Sequence, residues 1–126
     1  MGSPLVSVVD DDESVRESLP DLLRELGFGA AAFASAKEFL AADVLEETRC
    51  LILDIAMPEM SGPELQLELM RRGSTVPVIF ITAQTGKKVR SAVLAQGAVE
   101  CLFKPFSEDE LRSALSAALV PADRDA

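Results

Sequence analysis

"LVSVVDDDES", residues 5–14, sets an apolar run directly against a block of acids. Five mostly aliphatic residues run straight into three aspartates and a glutamate, ahead of a segment with helical spacing. A short continuous apolar run is expected of a strand covered on both faces. Adjacent carboxylates repel one another and resist leaving water, so the strand must stop where they begin. Either a solvated turn holds them, with acids favoured by the dipole of the helix that follows, or something positive sits there. What the rest of the chain places beside them decides the matter.

The pattern of apolar run followed by helical stretch repeats. Strands are predicted at "LVSVV" (5–9), "FGAAAF" (28–33), "CLILD" (50–54), "VIFIT" (78–82) and "CLF" (101–103). The second is the weakest, because alanine and glycine are poor strand formers. Val15, Leu19, Leu22, Leu23 and Leu26 share one face of a first helix that stops at Gly27. "SAKE" from Ser35 and "SEDE" from Ser107 have the capping-box pattern and open the second and fifth helices. Pro63 suits the first position of a third helix running to about Arg72. The fourth, about Lys87 to Gln96, has only Val89, Ala92 and Val93 on a face, whereas the fifth carries a clean stripe from Leu111 to Leu119.

Five such units predict an α/β fold, a doubly wound five-stranded parallel sheet with five helices and right-handed crossovers. In a 2-1-3-4-5 strand order the first and third strands are neighbours and the second lies at the edge. Ligands of such sheets bind outside the carboxyl ends of the strands, at the switch point of strand order. Those ends carry Asp10, Asp11 and Asp12 on the first strand, Asp54 on the third, Thr82 on the fourth and Lys104 on the fifth. The edge strand offers only Phe33-Ala34-Ser35. The polar groups thus fall on the four strands that can surround one site.

Bulk properties narrow the chemistry. A chain of 126 residues is expected to form one domain with a real core. A net charge of −9 argues against holding nucleic acid or an anionic membrane. No apolar run reaches the roughly 18–20 residues of a membrane span, and no signal-peptide pattern opens the chain. Cys50 and Cys101 lie in separate apolar runs and form no C-x-x-C pair, so buried free thiols in a reducing cytoplasm are expected. The absence of histidine removes the commonest general base and metal ligand. "VPADRDA" reads as a linker or tail, giving a domain over residues 1–120 and a tail over 121–126.

Three carboxylates near one point suit a hard cation held by oxygen, and Mg²⁺ fits best because it takes one or two carboxylates plus phosphate oxygens. One carboxylate of such a site can act as a nucleophile toward phosphorus and form an aspartyl phosphate. Asp54, central on the middle strand, is the candidate. Asp11 would bind the metal directly, and Asp10 would hold it through water or orient Asp11. Thr82 and Lys104 would take phosphoryl oxygens, while Asp12 and Glu13 start the first helix.

"VVDDDE", "DIAMPEMSG", "VIFITA" and "FKPF", in this order and at these separations, resemble a two-component response-regulator receiver domain over residues 4–120. "MPEMSGPEL" and "GAVECLFKPF" resemble receivers of FixJ-like transcriptional regulators. The resemblance implies a CheY-like fold and phosphorylation of Asp54 by a histidine kinase, a histidine phosphotransfer protein or small acyl phosphates. It implies Mg²⁺, with Mn²⁺ as a substitute, on Asp11, Asp54 and the backbone carbonyl of Ala56, with Asp10 further out. It further implies a cis Lys104–Pro105 peptide, an output face on the fourth helix, fifth strand and fifth helix that could form a homodimer, and an attached transcriptional output domain; a stand-alone regulator is the alternative. Gln84, two residues after Thr82, could orient a hydrolytic water over the phosphoryl group.

One position departs from that pattern. Most receivers carry, three residues before the lysine, an aromatic side chain that turns inward on activation, and here that residue is Cys101. A haloacid-dehalogenase-type phosphatase, which also uses a strand-end aspartate with Mg²⁺, needs a second Asp two residues after the nucleophile, where this chain has Ala56. A flavodoxin-like carrier needs a Ser/Thr-Gly phosphate loop where this chain has acids.

Overall fold

Every apolar run predicted above is a strand in the computed structural model, which describes residues 3–83 and 87–119. In chain order these residues form β1 (Leu5–Val9), α1 (Glu13–Glu25), β2 (Gly29–Phe33), α2 (Ala36–Ala42), a short 3-10 turn (Leu45–Glu47) and β3 (Thr48–Asp54). There follow α3 (Gly62–Arg71), β4 (Val78–Thr82), α4 (Lys87–Ala95), β5 (Glu100–Phe103) and α5 (Glu108–Ala118). All pairings are parallel and the order is β2-β1-β3-β4-β5, so the switch point lies between β1 and β3 as expected. Gln84 and residues 121–126 lie outside the described residues.

Alternation along the strands builds two cores. Val6, Val8, Ile52, Ile79 and Ile81 face α1 and α5, which lay Leu19, Leu23, Leu111 and Leu115 over them. Val9, Leu51, Leu53, Phe80 and Cys101 face the other way, toward Phe39 of α2, Leu65 and Leu69 of α3 and Val93 of α4. Cys50 and Cys101 are free, buried and on opposite faces. Among the described residues no helix is long and apolar enough to cross a membrane.

Several local expectations shift. β3 begins at Thr48, two residues early, because the Thr48 hydroxyl is buried on Ser7 Oγ at 2.7 Å and on the Val44 carbonyl at 2.8 Å. Ser35 caps α2 through the Glu38 amide, but the Glu38 carboxylate reaches back to the Ala34 amide rather than to Ser35, so the predicted box is only half closed. Complete boxes form at Ser107–Glu110 and at Ser61–Glu64. The second of these makes Gly62 the first helical residue and moves Pro63 to the next position. On α4, Ala92 is exposed rather than facing the sheet, leaving Val93 as its buried residue.

Candidate functional site

The site is assembled by strand ends. Asp10 follows β1 and is fully buried, Asp54 closes β3 at 6% exposure, and Thr82 closes β4 at 1%. Lys104 follows β5, and its amide donates to the Thr82 carbonyl at 2.8 Å, which ties the ends of β4 and β5 together. The Lys104–Pro105 peptide is cis. Carboxylate oxygens of Asp10, Asp11 and Asp54 all lie within 4.8 Å of one another. Asp12 is not among them: its side chain caps α1 by accepting from the Ser14 amide at 3.0 Å, as the sequence predicts.

Asp10 is gripped at each polar atom. Its amide donates to the Phe33 carbonyl at 3.1 Å, and its carbonyl accepts from Arg16 Nη1 at 3.0 Å. Its Oδ1 accepts from the Asp12 amide at 2.9 Å, and Lys104 Nζ stands 2.9 Å from Oδ2. That last contact is a charge pair, and among the described residues no further donor reaches Oδ2. Lys104 is 3.8 Å from Asp54 Oδ1, so the lysine expected to serve a phosphoryl oxygen rests mainly on Asp10.

One ammonium cannot neutralise three carboxylates. Burial, then the Asp10 charge, push the Asp54 carboxyl up to about 7, with the Lys104 charge opposing. For Lys104, burial disfavours the charge, but the hydrogen bond to Asp10 and the charges of Asp54, Asp10 and Asp12 outweigh it and raise its pKa. Oxygens within 4.8 Å of one another are slightly more open than the roughly 3–4 Å between ligands of one ion with Mg–O of about 2.1 Å. A buried Asp10 oxygen served, among the described residues, only by a lysine, beside two more acids, is a donor set that a hard divalent cation satisfies.

Two residues that support the site were not read from the sequence. Gly62 packs on the main chain behind Asp54: a Cβ there would run into the Asp54 carbonyl oxygen and touch the Phe80 ring. Before a proline, such a glycine reads simply as turn chemistry. Arg16 sits in the first turns of α1 and reaches back to the Asp10 carbonyl. A lone basic residue on a helix gives no sign of such a reach.

The sequence profile of the response regulator receiver domain family matches residues 6–116. Nodulation protein W of Bradyrhizobium diazoefficiens is 41% identical over 114 residues, covering 90% of this chain and 50% of that protein. Transcriptional regulatory protein FixJ of Azorhizobium caulinodans is 38% identical over 114 residues, covering 90% of this chain and 54% of that protein. Among solved structures, response regulator StyR superposes with a TM-score of 0.86 at 42% identity, over 98% of this chain and 63% of that one. The structure titled FixJ-N superposes with a TM-score of 0.82 at 34% identity, over 94% and 95%. The chain therefore belongs to the response regulator receiver domain family, with the CheY-like fold and an aspartate triad typical of a magnesium site in receivers. It spans about half the length of the curated relatives it matches.

Proposed function

We propose that the chain is a phosphorylation-dependent switch in which Asp54 accepts a phosphoryl group from a phosphohistidine on a kinase or phosphotransfer protein. An Asp54 carboxylate oxygen forms the new bond to phosphorus, the P–N bond to the donor imidazole breaks, and its electron pair returns to the ring nitrogen. The placement of Asp54 at the end of β3, within reach of Asp10, Asp11 and Lys104, carries this reading. Lys104 would leave Asp10 for a phosphoryl oxygen, a short swing given the 2.9 and 3.8 Å separations, and Thr82 would offer its hydroxyl. A bound Mg²⁺, or Mn²⁺ in its place, would supply charge withdrawal from the phosphoryl oxygens, held by Asp11, Asp54 and the Ala56 carbonyl, with Asp10 behind. The domain promotes its own phosphorylation and slow dephosphorylation rather than turning over a substrate.

A protein donor is supported by an apolar groove of about 700 Å³ beside the site, bounded by Val15, Leu19, Leu22, Pro105 and Phe106 with Lys104 at its edge. Residues 1–120 act as the receiver and 121–126 begin a linker to a transcriptional output domain, consistent with relatives about twice as long. Location in the cytoplasm and phosphorylation-driven dimerisation through α4, β5 and α5 complete the proposal. Incubation with Mg²⁺ and a small acyl phosphate, read by intact mass, should add one phosphate to the natural chain and none to Asp54→Asn. Undiminished labelling of that variant overturns the assignment.

A further inference from the structure

We infer that Arg16 is a positioning residue for the cation, acting through the β1–α1 turn on Asp11. The inference rests on reading Asp10, Asp11 and Asp54 as a metal site, and concerns how the exposed member of that trio is aimed.

Peptide groups are planar, so the backbone angles of a residue are set once the planes before and after it are fixed. The plane before Asp11 contains the Asp10 carbonyl, and Arg16 Nη1 donates to that oxygen at 3.0 Å. The plane after Asp11 contains the Asp12 amide, which donates to Asp10 Oδ1 at 2.9 Å. Asp10 is itself anchored to Phe33 and Lys104. Two side chains, one on each side, therefore clamp Asp11. The guanidinium is in turn seated on α1, whose Val15 and Arg16 amides bond the Asp12 carbonyl at 3.2 Å. Removing Arg16 frees one plane, and the Asp11 carboxylate loses its aim while Asp10 and Asp54 stay in place.

Charge and geometry make opposite demands here, which makes the idea decisive to test. A guanidinium beside a cation site disfavours the cation, so charge alone predicts tighter binding when it is removed. Positioning predicts weaker binding, because a residue that orients a ligand is typically worth about 10-fold or more in metal affinity.

The experiment is Mg²⁺ titration of the metal-free chain by calorimetry and by amide NMR, for the natural protein, Arg16→Met and Arg16→Lys. Arg16→Met keeps the apolar stem but loses charge and donors. It should weaken Mg²⁺ about 10-fold, shift the Asp11 and Asp12 amide signals and leave the melting temperature of the metal-free protein nearly unchanged. Arg16→Lys, which keeps a donor, should recover part of the affinity. Equal or tighter binding by Arg16→Met overturns the inference and leaves the metal site standing. No saturable binding by the natural chain overturns the metal-site reading itself.

Discussion

On one face of the sheet α1 and α5 bury Leu19, Leu23, Leu111, Ala114 and Leu115, whereas on the other, among the described residues, α4 buries only Val93. What α4 lacks in apolar contact it makes up with polar ties. Arg90 pairs with Glu100 of β5 at 2.7 Å. Gln96, just past its end, donates to Gln66 Oε1 at 3.0 Å and to the Pro63 carbonyl at 3.2 Å, both on α3. Apolar burial is non-directional and is lost only by exposing surface to water, whereas hydrogen bonds and surface ion pairs can be exchanged for water at about 1 kcal/mol each. The first face is a platform. The second carries a helix whose ties water can replace, which makes it the cheaper of the two to shift. Cys101, buried on that same face, has a single short side-chain torsion and no bulk to sweep inward.

The largest expected effect tests the platform. Leu23→Ala should cost about 2–5 kcal/mol of global stability, against roughly 2 for Val93→Ala. Urea denaturation measures both; equal losses would break the contrast between the faces. In native-state hydrogen exchange the α4 amides should open well below the global free energy, and the α1 amides only with it.

The rim where the faces meet should respond to pH. Because the folded Asp54 carboxyl titrates near 7 rather than near its ordinary 3.8, the folded state holds an extra proton between those values. Its contribution is therefore fully present below about pH 4 and is lost as pH rises toward about 7, the reverse of an ion-paired carboxylate. After allowance for water at the rim the loss is about 2 kcal/mol. The difference in stability between the natural chain and Asp54→Asn, followed from pH 4 to 8 without metal, isolates this effect, and saturating Mg²⁺ should offset it.

The polar ties give the smaller effects. Gln66 is buried and Gln96 is its donor, so each single Leu replacement should cost about 1–2 kcal/mol and the double replacement less than the sum. Strict additivity would show that the amides do not hold α3 to α4. Arg90→Ala should cost under about 1 kcal/mol globally while raising exchange in the α4 amides. If exchange there is unaltered, the ion pair does not restrain the helix.

Much of this was legible in the chain. Strand runs, helix stripes and caps are local, set by periods of two and 3.6 residues and by neighbours three or four positions apart. Strand-end polar residues become one cluster once the sheet is parallel, because every strand then ends at the same rim. That is why Asp10, Asp11, Asp54, Thr82 and Lys104 could be named together. Two local errors, at Thr48 and Ser35, fall where a buried hydroxyl and an alternative donor, the Ala34 amide, overrode spacing, and at Ala92 the helix simply turns that residue to solvent.

The five βα units, their order of polar endings and the acidic rim all follow from residues adjacent along the chain. Packing of the elements, and nothing nearer along the chain, sets Lys104 on Asp10, brings Arg16 to the Asp10 carbonyl, requires a bare Gly62 against Asp54 and buries Gln66 to meet Gln96. Those contacts join residues six to 94 positions apart, and long side chains choose partners by distances between packed elements, which no local spacing encodes.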